Sequence, residues 1–410
     1  MYDGIMKFTT TQPDFAANKA KIPQTVGYYA AFVALGLVSA SLGPTLPGLA
    51  RHTQSQLSQI SFLFTARSLG YLLGSLQGGR LYDRVPGHPV MAAVLLVMAA
   101  MAALAPVVPF LWLLCIALLI LGMGEGALDV GGNTLLVWVH GHSVGPFMNA
   151  LHFFFGLGAF LSPIIVAQVI LRSGDITWAY WLLALLVLPV AGWLLRLPSP
   201  TAQAAPVNDP AGEANGQRRN PSFLVLLLAA FFFLAVGAEG SFGGWVFTYA
   251  VALKLASEPV AAYLTSTFWG ALMLGRLLSI PLAARFSPRS VLLADLVGCI
   301  ASIGVILLCS GSLTATWLGA FGMGLFMASA FPTTISLAES RLRITGKITG
   351  WFFVGASAGG MFLPRVIGQL FEPVGPRVTM FAIGTDLLVA VGIYAALMLY
   401  SGQRPAAESR

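Results

Sequence analysis

Apolar runs recur along this chain, each about 20 residues long, the length a helix needs to cross a hydrocarbon core. Six of them fall near 25–49, 59–79, 89–106, 109–137, 145–171 and 176–197. Six more fall near 222–252, 259–284, 290–310, 314–338, 346–371 and 376–400. One long polar stretch, 198–221, separates the two sets; its Pro, Ala, Asn and Gly residues with Arg218 and Arg219 read as a flexible linker. The pattern predicts an all-α membrane protein of twelve transmembrane helices. Its parts are an N-terminal tail (1–24), a six-helix bundle (25–197), the linker (198–221), a second bundle (222–400) and a C-terminal tail (401–410).

The two bundles look alike at a shift of about 200 residues. Gly70-Tyr71-Leu72-Leu73 with Arg80 matches Gly275-Arg276-Leu277-Leu278 with Arg285, and Gly122-Met123-Gly124 matches Gly322-Met323-Gly324. Gly158 with Pro163 likewise matches Gly359 with Pro364. Their common order predicts a parallel six-helix repeat, an arrangement that places a solute site between the halves near mid-membrane.

Composition agrees with a bilayer as solvent. Charged residues make up 9% of the chain, against roughly 25% in soluble domains, and hydrophobic residues 57%. The net charge of +7 is explained by placement, without nucleic acid. Fifteen of the 22 Lys and Arg fall on the side of the termini and linker; Arg51, Arg172, Lys254 and Arg377 fall opposite. By the positive-inside rule both termini are expected in the cytoplasm, with the protein in the inner (plasma) membrane. The first 24 residues have no apolar signal region, so the first helix is expected to serve as the insertion signal. Cys115, Cys299 and Cys309 lie in apolar runs and imply neither disulfide nor metal. No phosphate-binding glycine loop, metal-ligand spacing or nucleophile–base set is present, so neither an enzyme, a cofactor nor ATP drive is expected.

Between the second and third helices stands Gly79-Arg80-Leu81-Tyr82-Asp83-Arg84-Val85-Pro86-Gly87-His88. It resembles the major facilitator signature Gly-x-x-x-Asp-Arg-x-Gly-Arg-Arg, with Gly79, Asp83 and Arg84 in place, Pro86 displacing the second glycine and His88 where a cation is usual. The resemblance implies a cytoplasmic conformational latch at Gly79, Asp83 and Arg84. Three further segments are Leu42–Leu46 (Leu-Gly-Pro-Thr-Leu), Asn149–Ala159 and Gly237–Trp245. They resemble the fucose–galactose–glucose:proton symporter group and its animal relatives, the sodium-dependent glucose transporter-like proteins. That resemblance implies a sugar substrate and a driving cation, with carboxylates in helices one and four tied to proton coupling. Asp129 matches the helix-four carboxylate; helix one has none, only Ser39, Ser41 and Thr45.

Carboxylates inside a membrane cost about 2.5–3.5 kcal/mol or more, so they are expected to face a cavity, find partners or bind protons. Glu125, Asp129 and Asn133, at i, i+4 and i+8, form one polar stripe on helix four. Asp129, Glu125 and Glu239 are the candidate cation-coupling groups. Glu239 lies among Gly237, Gly240, Gly243 and Gly244, which favour an interrupted helix seven. Sugar sites combine aromatic rings with amides and carboxylates, making Asn133, Asn149, His152, Glu239, Trp245 and Trp269 the candidate substrate contacts. Arg67, Arg276 and Arg365 are expected to partner the acids, in pairings the residues alone do not assign.

The leading expectation is a secondary active transporter: proton-coupled symport of a monosaccharide or similar small polar solute by a monomer, with sodium as the alternative ion. A proton-coupled efflux antiporter for drug-like or cationic compounds is the alternative, and a non-transporting sensor a third class. The expected partners are the solute and the lipid bilayer.

Overall fold

A computed structural model of the chain describes residues 15–200, 221–342 and 346–402, which are helical and contain no strand. The expected linker 198–221 and the two tails lie largely outside the described residues. The N-terminal half comprises α1 (Phe15–Ser39), α2 (Leu42–His52), α3 (Leu57–Ile60), α4 (Phe62–Tyr82), α5 (Gly87–Leu104), α6 (Leu111–His140), α7 (Gly145–Ser173) and α8 (Thr177–Leu194). The C-terminal half comprises α9 (Pro221–Ala252), α10 (Glu258–Arg285), α11 (Pro288–Leu308), α12 (Leu313–Met327), α13 (Ala330–Glu339), α14 (Gly346–Val374) and α15 (Val378–Gly402). These make twelve crossings, with α1–α2 forming the first and α12–α13 the tenth.

The two broken crossings share a cause. Pro44 and Pro332 have no N–H for the carbonyls of Ala40 and Ala328, so the helix opens one turn ahead of each proline. Helix seven, expected to be interrupted, is instead continuous as α9. Its glycines serve close packing: a Cβ on Gly243 would lie 2.8 Å from the Trp269 ring, and one on Gly244 would lie 2.6 Å from Phe64. The tiny α3, in the connection after α2, is absent from the sequence-based plan.

Glycines also bind the helices within each half. In the membrane, where lipid is as apolar as the side chains, small residues let backbones approach and gain dispersion contacts. Gly70, Gly74 and Gly78 of α4 lie on α6; a Cβ on Gly70 or Gly74 would come within 2.0 Å of the Leu119 or Met123 carbonyl. In the first half Gly158 meets the carbonyl of Val33; in the second, Gly359 meets that of Phe233. The two contacts correspond at the shift of about 200 residues, so the repeat holds at backbone contacts.

By length and apolarity ten of the crossings qualify as membrane spans among the described residues; α4 and α14 do not. They are the less apolar pair, with Arg67, Gln77 and Arg80 on one and Arg365, Gln369 and Glu372 on the other. Both lie at the junction of the halves, packed on each other, so they have less need of a lipid-like surface.

The halves meet on the side away from the termini. There α2 packs on α9, α3 and α4 on α14, and α7 on α10. Ser266 donates to the carbonyl of Phe160 (2.6 Å), Thr65 to that of Met361 (3.3 Å), and Gln168 to the hydroxyl of Tyr263. At the outer end α3 is clamped by α14. Arg365 and Gln369 donate to the carbonyl of Ser58, each at 2.7 Å, and Glu372 accepts from the amide of Leu57 at 3.0 Å. The spacing of these three side chains, i, i+4 and i+7, puts them on one face of α14. Arg51 and Glu258 add an exposed ion pair at 3.1 Å.

Candidate functional site

The glycine seam between α4 and α6 aligns two polar rungs. The helices run parallel, so Arg67 faces Glu125 and, one turn on, Tyr71 faces Asp129, both 58 residues apart. Arg67 holds Glu125 through two bonds, Nε to Oε2 at 2.8 Å and Nη2 to Oε1 at 2.9 Å, and Ser39 of α1 donates to Oε1 at 3.0 Å. With Glu125 buried, removing either partner would strand a charge in a low dielectric. Asp129 accepts from Tyr71 and, at 3.0 Å, from the amide of Asn133. The expected stripe on helix four is therefore real, and its members divide: Glu125 is locked in a pair, whereas Asp129 is held by neutral donors.

At the junction, on both of its sides, stand three polar groups without a hydrogen-bond or ion-pair partner among the described residues: His152 of α7, Glu239 of α9 and Arg276 of α10. Their mutual placement follows from helix register. A Cβ on Gly156 would meet Met273, and Phe160 contacts Ser266 and Gly270, so α7 and α10 run antiparallel. Continuing that register by one turn sets His152 level with Arg276. The Arg276 guanidinium lies 5.9 Å from the Phe155 ring centre and within electrostatic reach of Asp129, Glu239 and His152. The His152 ring meets Phe32 edge-on, 5.9 Å between centres. Asp129, His152, Glu239 and Arg276 are each only partly buried.

Of the other sequence-based candidates, Asn149 is exposed on the terminal side of α7, one turn before His152. Trp269 keeps a buried indole N–H with no acceptor among the described residues. Trp245 departs from the expectation of a solute contact. It is fully buried, its ring packs between Phe64 and Phe371, and its N–H is already donated to the carbonyl of Pro364 at 3.1 Å. Its surface is spent on joining α9 to α14 and α4, so it belongs to the closed junction.

The expectation that the membrane arginines partner acids holds for Arg67 alone. Arg365 stacks on Phe62, 3.3 Å from the ring centre, and serves the α3 clamp; Arg276 pairs with none among the described residues. The latch residues sit at the end of α4. Asp83 caps the helix, its amide bonded to the Gly79 carbonyl, and Asp83 and Arg84 are exposed without an ion pair among the described residues. Sequence reasoning missed Tyr71, although its position four after Arg67 repeats that of Asp129 four after Glu125. No group of three or more potential metal ligands occurs among the described residues.

Comparison with known proteins places this architecture. Residues 28–364 match the model of the Major Facilitator Superfamily. The chain is 31% identical over 399 residues to sodium-dependent glucose transporter 1A of Mus musculus, covering 88% of this chain and 93% of that protein. It is 32% identical to sodium-dependent glucose transporter 1 of Homo sapiens (83% and 72% covered) and 28% identical to human major facilitator superfamily domain-containing protein 4A (87% and 88%). Among solved structures, a mutant of the nucleoside transporter NupG superposes with a TM-score of 0.72 at 14% identity, covering 92% of this chain and 99% of that one. A bacterial homologue of the human lysosomal transporter Spinster superposes with a TM-score of 0.69 at 12% identity, covering 97% and 100%. With the family match running over most of a twelve-crossing, two-half fold, the chain belongs to the Major Facilitator Superfamily.

Proposed function

We propose that this chain is a cation-coupled symporter of a monosaccharide or similarly small polyol, working by alternating access with both termini in the cytoplasm. The observation that carries this reading is the set of partnerless groups at the junction. His152, Glu239 and Arg276 offer an imidazole, a carboxylate and a guanidinium to a solute rich in hydroxyls, with Asn133, Asn149 and Trp269 nearby on the same three helices or on α6. A polyol can serve both donors and acceptors, and a site left with unmade hydrogen bonds discriminates strongly for the ligand that makes them.

Coupling follows from charge. With Asp129 and Glu239 ionised, two carboxylates stand against the single guanidinium of Arg276, because Arg67 is matched by Glu125. One negative charge is left over in the membrane interior, where an uncompensated ion is costly. Binding one cation removes it, so the loaded carrier closes more readily than the carrier with solute alone. By linkage, cation and solute then strengthen each other's binding equally. A proton on Asp129 or Glu239 is the primary reading. Sodium is the second, favoured by the names of the relatives.

Under the positive-inside orientation the closed side is external, the open side cytoplasmic, and the latch at Gly79, Asp83 and Arg84 engages only when the cytoplasmic side closes. The multi-pass chain then resides in the inner (plasma) membrane and imports its solute. The deciding experiment is uptake of radiolabelled glucose and other monosaccharides into proteoliposomes under separately imposed proton and sodium gradients. Accumulation against a sugar gradient, driven by one of the two ions and abolished in Glu239→Gln or Asp129→Asn while sugar exchange persists, is the expected result. Sugar-independent efflux of a lipophilic cation driven by a proton gradient would replace this reading with antiport.

A further inference from the structure

A groove of about 540 Å³ lies outside the junction, between α4 and α5 over α6. It exists because the glycine face of α4 is drawn onto α6, while α4 and α5 hardly touch. Its floor and walls are mostly apolar, including Gly74, Met123, Ala93 and Val97, with Gln77 as one polar side chain, and Arg80 and Arg84 stand at one end. From Gly74 to the end of α4 at Tyr82 the chain advances eight residues, about 12 Å along the helix, and Arg84 stands in the turn just beyond. With that turn the span approaches half of a hydrocarbon core of about 30 Å, the depth of a single leaflet.

We propose that this groove is a binding site for one anionic phospholipid, its acyl chain lying between α4 and α5 and its phosphate held by Arg80 and Arg84. The medium around this face is lipid, so a lipid tail fills the groove by default; the two arginines select the headgroup. Both are exposed and have no carboxylate within ion-pair distance among the described residues. Asp83, between them in sequence, does not line the groove. Guanidinium groups offer forked donors to phosphate oxygens, and basic pockets between membrane helices recognise anionic headgroups. The leaflet concerned is the cytoplasmic one, a designation that rests on the proposed orientation, whereas the binding itself does not depend on transport.

The test is lipid retention by the full-length protein. Protein in mild detergent is equilibrated with equal amounts of phosphatidylglycerol and phosphatidylcholine of matched chains, washed, and its bound lipid quantified by mass spectrometry. At about 1 kcal/mol per arginine near a charged headgroup, wild type should favour phosphatidylglycerol by roughly thirtyfold. Arg80→Gln/Arg84→Gln should abolish the preference, and Ala93→Phe, which fills the groove, should lower retention of both lipids. Should the double variant fail to fold, wild type in ~1 M salt, where the Debye length is about 3 Å, should lose the preference alone. Equal retention of the two lipids by wild type, preference persisting in the double variant, or retention undiminished in Ala93→Phe would each overturn the proposal. Each outcome is read as lipid retention and not as uptake, because Arg84 also belongs to the proposed latch.

Discussion

At the scale of single residues, the buried ion pair and the partnerless trio have opposite consequences when altered. Arg67 and Glu125 are joined by two short bonds in a site largely shielded from solvent. Arg67→Gln or Glu125→Gln alone leaves a lone charge and should cost about 3–5 kcal/mol, seen as a large fall in the thermal midpoint of the purified protein. The double variant, with two amides that can bond each other, should recover much of that loss. Equal or additive losses would show that the pair contributes nothing specific. Glu239, His152 and Arg276 have no such bonds to lose, so neutralising Glu239 should leave the midpoint nearly unchanged while altering coupling. The sequence made the acids conspicuous as charges in apolar runs, but not their fates, because pairing depends on which helix faces lie at the same depth. Glu125 and Asp129 sit one turn apart on one stripe, and the α4 register, which sets Arg67 against one and Tyr71 against the other, separates a locked acid from one held by neutral donors.

At the scale of helices, the spacing of glycines decides which surfaces meet. Gly74→Ala would drive a Cβ to 2.0 Å from the Met123 carbonyl and push α4 off α6. The expected cost is about 1–3 kcal/mol, with weaker solute transport because Arg67 and Tyr71 move from their acids. Gly79→Ala is the internal contrast: its nearest neighbour would be a Val130 methyl at 4.0 Å, and alanine favours helix by up to about 1 kcal/mol. Opposite shifts in thermal midpoint for two glycines five residues apart would establish the seam; equal shifts would refute it. Glycine spacing was visible in the chain, yet its meaning was not always legible. On helix seven it suggested an interruption, whereas α9 uses Gly243 and Gly244 to admit Trp269 and Phe64 from other helices. The true breaks lie one turn ahead of Pro44 and Pro332, yet Pro163, Pro189, Pro281 and Pro364 sit inside unbroken helices, so a missing N–H alone does not tell a break from a tolerated proline.

At the scale of the whole molecule, two halves of the same plan are joined on one side only. The repeat was readable at a shift of about 200 residues because paired glycines recur in both halves, while the closed side depends on side chains far apart in the chain. The α3 clamp is such a case: Ser58 and Arg365 are 307 residues apart and meet only because α3 docks on α14. Arg365→Gln removes both the stack on Phe62 and the charged donor to α3, so it should favour opening on that side. Spin labels at Gln54→Cys and Val374→Cys, with the native cysteines replaced, should gain a longer-distance population in the variant. An unchanged distance distribution would mean that the apolar contacts beneath the clamp suffice.

The burial of Trp245 gives the molecule an optical signal of its own state. Several tryptophans, among them Trp112, Trp178 and Trp351, are more than half exposed to their surroundings, whereas Trp245 is sealed between Phe64 of one half and Phe371 of the other. Parting the halves would admit water to that indole and move its emission to longer wavelength. A single-tryptophan form retaining only Trp245 would then report each opening of that face as a change of colour, in real time and without an attached probe.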